Sequence, residues 1–219
     1  MNKNKSTGMW VSAIAFMMVL SAAVCASARE FPPPSWIGND GTTFQQWSFI
    51  VQDSDPQPPD VDPHWNNEFG MPQLSVYGGE WSNNIDGHQG SWKFMGFGSG
   101  MVVDIPNNPK SQPVKEIWVE LTWKAAGLSN FIPDQPIVNV WADHFEVEHI
   151  LPDVQMDNNW MASLYKINIW PNPSSEQITI NGDIRLDQVI VDTYCVPEPA
   201  TVGLLICGAL LAFRRRRKS

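Results

Sequence analysis

Cysteine is nearly missing from this chain of 219 residues, which holds three: Cys25, Cys195 and Cys207. Cys25 sits at the end of an N-terminal apolar run and Cys207 inside a C-terminal one, so only Cys195 belongs to a mature domain. No internal disulfide can staple that domain. Cys195 is open to three readings, a free thiol, an intermolecular bridge or a small buried apolar residue, of which the last is preferred. Basic charge is scarce as well. Seven of the fourteen lysines and arginines lie at the two ends (Lys3, Lys5, Arg214 to Arg217 and Lys218), while all 23 acids lie between Arg29 and Pro199. A body this acidic repels nucleic acid and anionic lipid. Also lacking are a Gly-x-Ser-x-Gly elbow, a His-Glu-x-x-His helix and a phosphate loop, so the common hydrolase and nucleotide signatures do not apply.

The ends carry targeting chemistry. Lys3 and Lys5 precede an apolar run from Met9 to Val24, and Ala26-Ser27-Ala28 offers the small residues of a signal-peptidase site, which predicts export by the Sec translocon and cleavage after Ala28. Val24 before Cys25 and Ala22 three residues ahead fit a lipobox poorly. At the other end Thr201 to Phe213 form an apolar run of 13 residues, spanning roughly 20 Å as a helix, which is short for a bilayer. Arg214, Arg215, Arg216, Arg217 and Lys218 follow it and are costly to translocate, so charge alone leaves the acidic body on the outer face. Ahead of the run, Val196-Pro197-Glu198-Pro199-Ala200 is extended and solvated because two prolines flank the glutamate, a segment suited to a protease.

These three ordered elements resemble the PEP-CTERM sorting signal of bacteria that make extracellular polysaccharide. Pro197, Glu198 and Pro199 match the family motif, Thr201 to Phe213 its helix and Arg214 to Lys218 its basic end. The resemblance implies that exosortase, a membrane transpeptidase-like cysteine protease, processes the chain near the motif. The protein would be tethered at the inner membrane during sorting and would finish at the cell surface or in the extracellular matrix. The domain organisation expected is a signal peptide at 1–28, one domain at 29–195 and a sorting signal at 196–219.

Between the ends, apolar and polar residues alternate and are punctuated by Pro, Gly and Asn, which predicts an all-β domain. The clearest strand is Val114 to Lys124, with Ile117, Val119, Leu121 and Trp123 on one face and Glu116, Trp118, Glu120 and Thr122 on the other. Further strands are expected at Thr43 to Gln52, Gln73 to Tyr77, Ser91 to Phe97, Met101 to Ile105, Ile137 to Glu148, Trp160 to Trp170, Gln177 to Ile180 and Ile184 to Thr193. Turns are expected at Gly78-Gly79, Asp86-Gly87, Asn107-Asn108-Pro109 and Asn181-Gly182, the last as a two-residue hairpin. Such spacing suggests a single jelly-roll-like β-sandwich, with an immunoglobulin-like sandwich as the alternative. The body also resembles a group of secreted PEP-CTERM proteins through Gly41 to Phe49 and Lys115 to Val119. That likeness implies location and fold and brings no site residues with it.

Ten of the eleven tryptophans lie in the body. Exposed Trp faces stack on sugar rings, so extracellular polysaccharide is the ligand class they suggest. Trp118, which interrupts a polar strand face, leads the candidates, with Trp81 and Trp92 beside a Gly- and Asn-rich loop; core anchoring is the competing reading for each. Asp53, Asp55, Asp60 and Asp62 crowd a Pro-rich loop and offer oxygen donors of the kind Ca²⁺ takes, against the plainer reading of solvated charge. His144, Glu146 and Glu148 alternate as an acid–base or metal set, or as an exposed polar face. Asp187 resembles the acid at the start of a strand in carbohydrate-binding jelly rolls, and His64 and His88 have no partner visible in sequence. The expected function is an exported, non-catalytic envelope or matrix protein that contacts polysaccharide. The alternatives are a secreted glycan-acting hydrolase and a purely structural or adhesive surface protein.

Overall fold

The computed structural model describes residues 29–60, 67, 69–107, 112–127 and 135–196. The expected signal peptide with Ala26 and Ala28 lies outside the described residues, as do Asp62, His64 and the sorting signal from Pro197 onward. Among the described residues no helix is long and apolar enough to cross a membrane.

The protein is all-β, with two antiparallel sheets that share one core. In chain order the strands are β1 (Thr42–Ser48), β2 (Gln73–Tyr77), β3 (Glu80–Ile85), β4 (His88–Lys93), β5 (Gly96–Pro106), β6 (Val114–Ala125), β7 (Ile137–Trp141), β8 (Phe145–Gln155), β9 (Met161–Ile169), β10 (Ser175–Gly182) and β11 (Ile184–Val196). The larger sheet runs β3-β4-β11-β6-β9-β8, with β1 also paired to β11; the smaller runs β2-β5-β10-β7. Long β11 serves three neighbours. Its start pairs with β4 at Arg185 and Leu186, its later part pairs with β1 from Gln188 to Tyr194, and β6 lines its other edge.

Alternation along each strand explains the sandwich. Ile117, Val119, Leu121 and Trp123 of β6 point inward, as predicted, and meet Ile167 and Ile169 of β9, Val189 and Val191 of β11, and Met101, Val103, Ile105, Ile178 and Ile180 of the smaller sheet in one buried cluster. Burying each such side chain contributes roughly 1.5–3 kcal/mol. These apolar rows pack the two sheets against each other.

Turn chemistry divides into hairpins and crossings. Asp86 and Gly87 both take positive φ (55° and 95°) and close the β3–β4 hairpin as expected. Asn181-Gly182 does not make the hairpin that its sequence suggests. β10 and β11 belong to different sheets, and Gly182 (φ 135°) crosses between them where a Cβ would lie 2.5 Å from the carbonyl oxygen of Gln135. The strand expected from Ile137 to Glu148 is likewise two strands, β7 and β8, in different sheets. β3 was not anticipated, because Glu80-Trp81-Ser82-Asn83-Asn84-Ile85 has too little apolar content to read as a strand.

Candidate functional site

The outer face of the smaller sheet is assembled by register. Gln73 pairs with Asp104, Asp104 with Gln177 and Gln177 with Trp141, so four side chains from β2, β5, β10 and β7 stand in one row. At about 4.8 Å between neighbouring strands this row is roughly 14 Å long. A second row runs Ser75, Val102, Thr179, Asn139. The alternating partners Leu74, Val103, Ile178 and Val140 point into the core, which fixes the polar set outward.

Trp141 ends the first row and is 74% exposed, far more than any other Trp among the described residues. Next to it the chain crosses from β7 to β8 through Ala142, Asp143 and His144, and the Trp170 backbone N–H donates to the His144 carbonyl at 3.0 Å. Trp170 (41% exposed) and Phe145 therefore flank the same crossing. The row thus sets an exposed indole in line with a carboxylate and two primary amides, groups that can offer a ring face to C–H edges and hydrogen-bonding partners to hydroxyls.

The tryptophans singled out from sequence sit elsewhere. Trp92 is 3% exposed and belongs to the core; it is no binding residue. Trp81, its cross-strand partner, packs against the same core and donates from Nε1 to the Phe49 carbonyl at 3.0 Å. Trp118 does face outward from the larger sheet, but the N-terminal lead lies over it. Trp36 meets Trp118 edge-on at 6.3 Å between ring centres and stacks on Tyr194 at 5.4 Å. Both indoles donate to Glu116 Oε1, at 2.7 Å from Trp36 and 2.8 Å from Trp118, and Lys166 pairs with the other oxygen at 3.0 Å. Burial pushes the Glu116 carboxyl up, but these donors and the Lys166 charge outweigh it and hold the group below its usual range. The three tryptophans share no exposed face.

Of the acidic loop, Asp53, Asp55 and Asp60 are described, and these three are not drawn together around a common point. Asp53 and Asp55 are exposed, and Asp60 accepts hydrogen bonds from the Ser48 backbone N–H and, at 2.7 Å, from its hydroxyl, tying the loop to β1. Among the described residues no three His, Cys, Asp or Glu side chains are grouped to hold a metal ion. His144 lies in the crossing rather than on a strand, while Glu146 and Glu148 are exposed on β8, so the alternating triplet does not form.

Two His–Asp pairs emerge that sequence did not show. His88 Nδ1 lies 2.8 Å from Asp187 Oδ2, and its ring stacks on Trp160 at 4.1 Å. Burial pushes the Asp187 carboxyl up, against the pull of His88. His149 Nε2 lies 3.1 Å from Asp153 Oδ1, which also accepts a hydrogen bond from the fully buried Ser163. In this second set the carboxylate stands between serine and histidine. A nucleophilic relay needs the imidazole in that place, so the set can fix structure but cannot activate Ser163. No protein-family model, curated protein or solved structure matches the chain.

Proposed function

We propose that the chain is an exported, non-catalytic surface protein whose sandwich binds an extended polysaccharide across the outer face of its smaller sheet. The observation that carries this reading is the row Gln73–Asp104–Gln177–Trp141, a line of hydroxyl partners ending in an exposed indole. Strand order supports a jelly roll: β1-β11-β6-β9 against β5-β10-β7 follows that alternation between sheets. Here β8 has moved to the edge of the larger sheet, and β2 and the β3–β4 hairpin are additions.

The address remains the one its ends suggest. Val196 closes β11, and the Pro197-Glu198-Pro199 motif follows at once, so exosortase would act directly beyond that strand. Mass spectrometry of the secreted protein should find a C-terminus between Pro197 and Ala200; a mature protein that keeps Arg214 to Ser219 would defeat this part of the reading.

Binding is tested by pull-down on insoluble polysaccharide. The wild-type protein should be retained and Trp141→Ala should lose at least several-fold, whereas Trp118→Ala should leave retention unchanged. Equal retention of Trp141→Ala would remove the site. Release of reducing ends would favour the glycan hydrolase, and no retention on any polysaccharide would favour a purely structural role.

A further inference from the structure

At one end of the core, between the two sheets, lies a polar cluster that neither the sugar-binding face nor the sorting signal uses. Lys115 at the start of β6 is fully buried, and so is Glu176 on β10; Asn107, just past β5, is 4% exposed. Lys115 Nζ lies 2.8 Å from Asn107 Oδ1 and 3.2 Å from Glu176 Oε1. Despite that approach, neither Glu176 oxygen is aligned to accept a hydrogen bond. The amide nitrogen of Asn107 donates to Asn172 Oδ1 and, at 2.7 Å, to the Pro173 carbonyl, so its Oδ1 is turned toward Lys115. The Cys195 thiol, 4% exposed, donates to that same Oδ1 at 3.2 Å.

We propose that Lys115 and Asn107 join in an intramolecular amide bond, with Glu176 as the proton carrier. Burial without a matched hydrogen bond is the chemistry this step needs. An ammonium cannot attack a carbonyl, but a lysine beside a carboxyl in a dry core can pass it a proton and become a free amine. Burial pushes the Glu176 carboxyl up to about 7, against the opposing pull of Lys115, and the Asp104 charge adds to the rise. A carboxyl raised in this way is suited to accept the proton that the attacking nitrogen must give up.

The Lys115 amine then attacks Cγ of Asn107, the thiol of Cys195 and the protonated Glu176 polarise the amide, and the Cγ–Nδ2 bond breaks. Glu176 gives that proton to the leaving nitrogen, which departs as ammonia, and takes up the second proton that the attacking nitrogen sheds on becoming an amide, so the carboxyl ends protonated. One C–N bond forms, one breaks, nothing is oxidised or reduced, and the core is left with a neutral amide in place of an ammonium. The product ties β6 of the larger sheet to the end of β5 in the smaller one. This does the work of the disulfide that a chain with a single core cysteine cannot form.

The test is intact-mass measurement of the folded full chain, followed by tryptic mapping. The expected mass is lower than the sequence mass by one ammonia, with a branched peptide joining the stretch that ends at Lys110 to the one that contains Lys115. Glu176→Gln, which keeps the side-chain shape, should fold and show the full sequence mass. An unaltered mass in the wild-type protein would overturn the proposal. So would ammonia loss without the branched peptide, as ring closure at Asn107-Asn108 gives, or a gain of one oxygen less two hydrogens, which would mark a bridge between Lys115 and Cys195. Formation of the branched peptide in Glu176→Gln would remove Glu176 from its role.

Discussion

The outer faces of the two sheets are built from the same kinds of residue and have opposite fates. On the larger sheet, Trp118, Glu116, Lys166 and Tyr194 form an aromatic and charged surface that the chain covers with its own lead through Trp36. On the smaller sheet, Asp104, Gln177 and Trp141 form a comparable surface, and Trp141 stays open to solvent. A tryptophan on a polar strand face is thus not a site until one knows whether another segment reaches it. The covered face shows what the open one lacks: an indole laid against the platform and a carboxylate saturated with donors. In the proposed function a sugar would supply the same two contacts, a ring face and hydrogen-bonding hydroxyls.

Four substitutions probe this contrast, beginning with the core beneath it. Trp92→Ala removes a fully enclosed side chain and should lower stability by about 3–5 kcal/mol, read from the denaturant midpoint; a small change would mean that Trp92 is not core. Next in size is the layer between the faces. Glu176 has a folded value near 7, above its ordinary 4.5, so its contribution is complete below about 4.5 and is lost as pH rises through 7. The thermal midpoint of the wild-type protein should decline across that window relative to Glu176→Gln, and parallel profiles would contradict the assignment. Trp36→Ala strips the covered face and should cost about 2 kcal/mol, from a lost indole and its bond to a charged carboxylate. An unchanged midpoint would show that the lead is dispensable. Trp141→Ala, on the open face, should change stability by no more than about 0.5 kcal/mol while binding falls. A large drop in midpoint would make Trp141 structural and erase the contrast.

Much of the architecture was legible in the residues. β6 announced itself because four inward apolar residues alternate with polar ones, and β2 was bounded correctly by its flanking loops. The site was less legible, because its meaning depends on distant chain. Trp118 looked exposed on its own strand, and the residue that covers it lies far back in the sequence, at Trp36. Trp141 was hidden inside what reads as one strand from Ile137 to Glu148. Only the crossing at Ala142 to His144 separates the two strands, and that short stretch carries no glycine or proline to mark it. Asn181-Gly182 gave a strong turn signal that the structure uses for a change of sheet, since local chemistry specifies a bend and not its partner. Nothing in the sequence distinguishes Lys115 from a solvated lysine at a strand start; its burial follows from the alternation that places it on the same face as Ile117.

The position of β11 has a mechanical consequence. It is the last strand among the described residues and lies inside the larger sheet, paired to β6 from Ile184 to Val196 and to β1 over most of its later half, and the Pro-Glu-Pro motif follows it in sequence. Were the body gripped by a polymer on its smaller sheet and pulled by that tail, the force would run along β11. Its antiparallel hydrogen bonds stand perpendicular to such a load and would share it in shear rather than open one after another. The attachment point thus meets the fold along one of its most extensively paired strands.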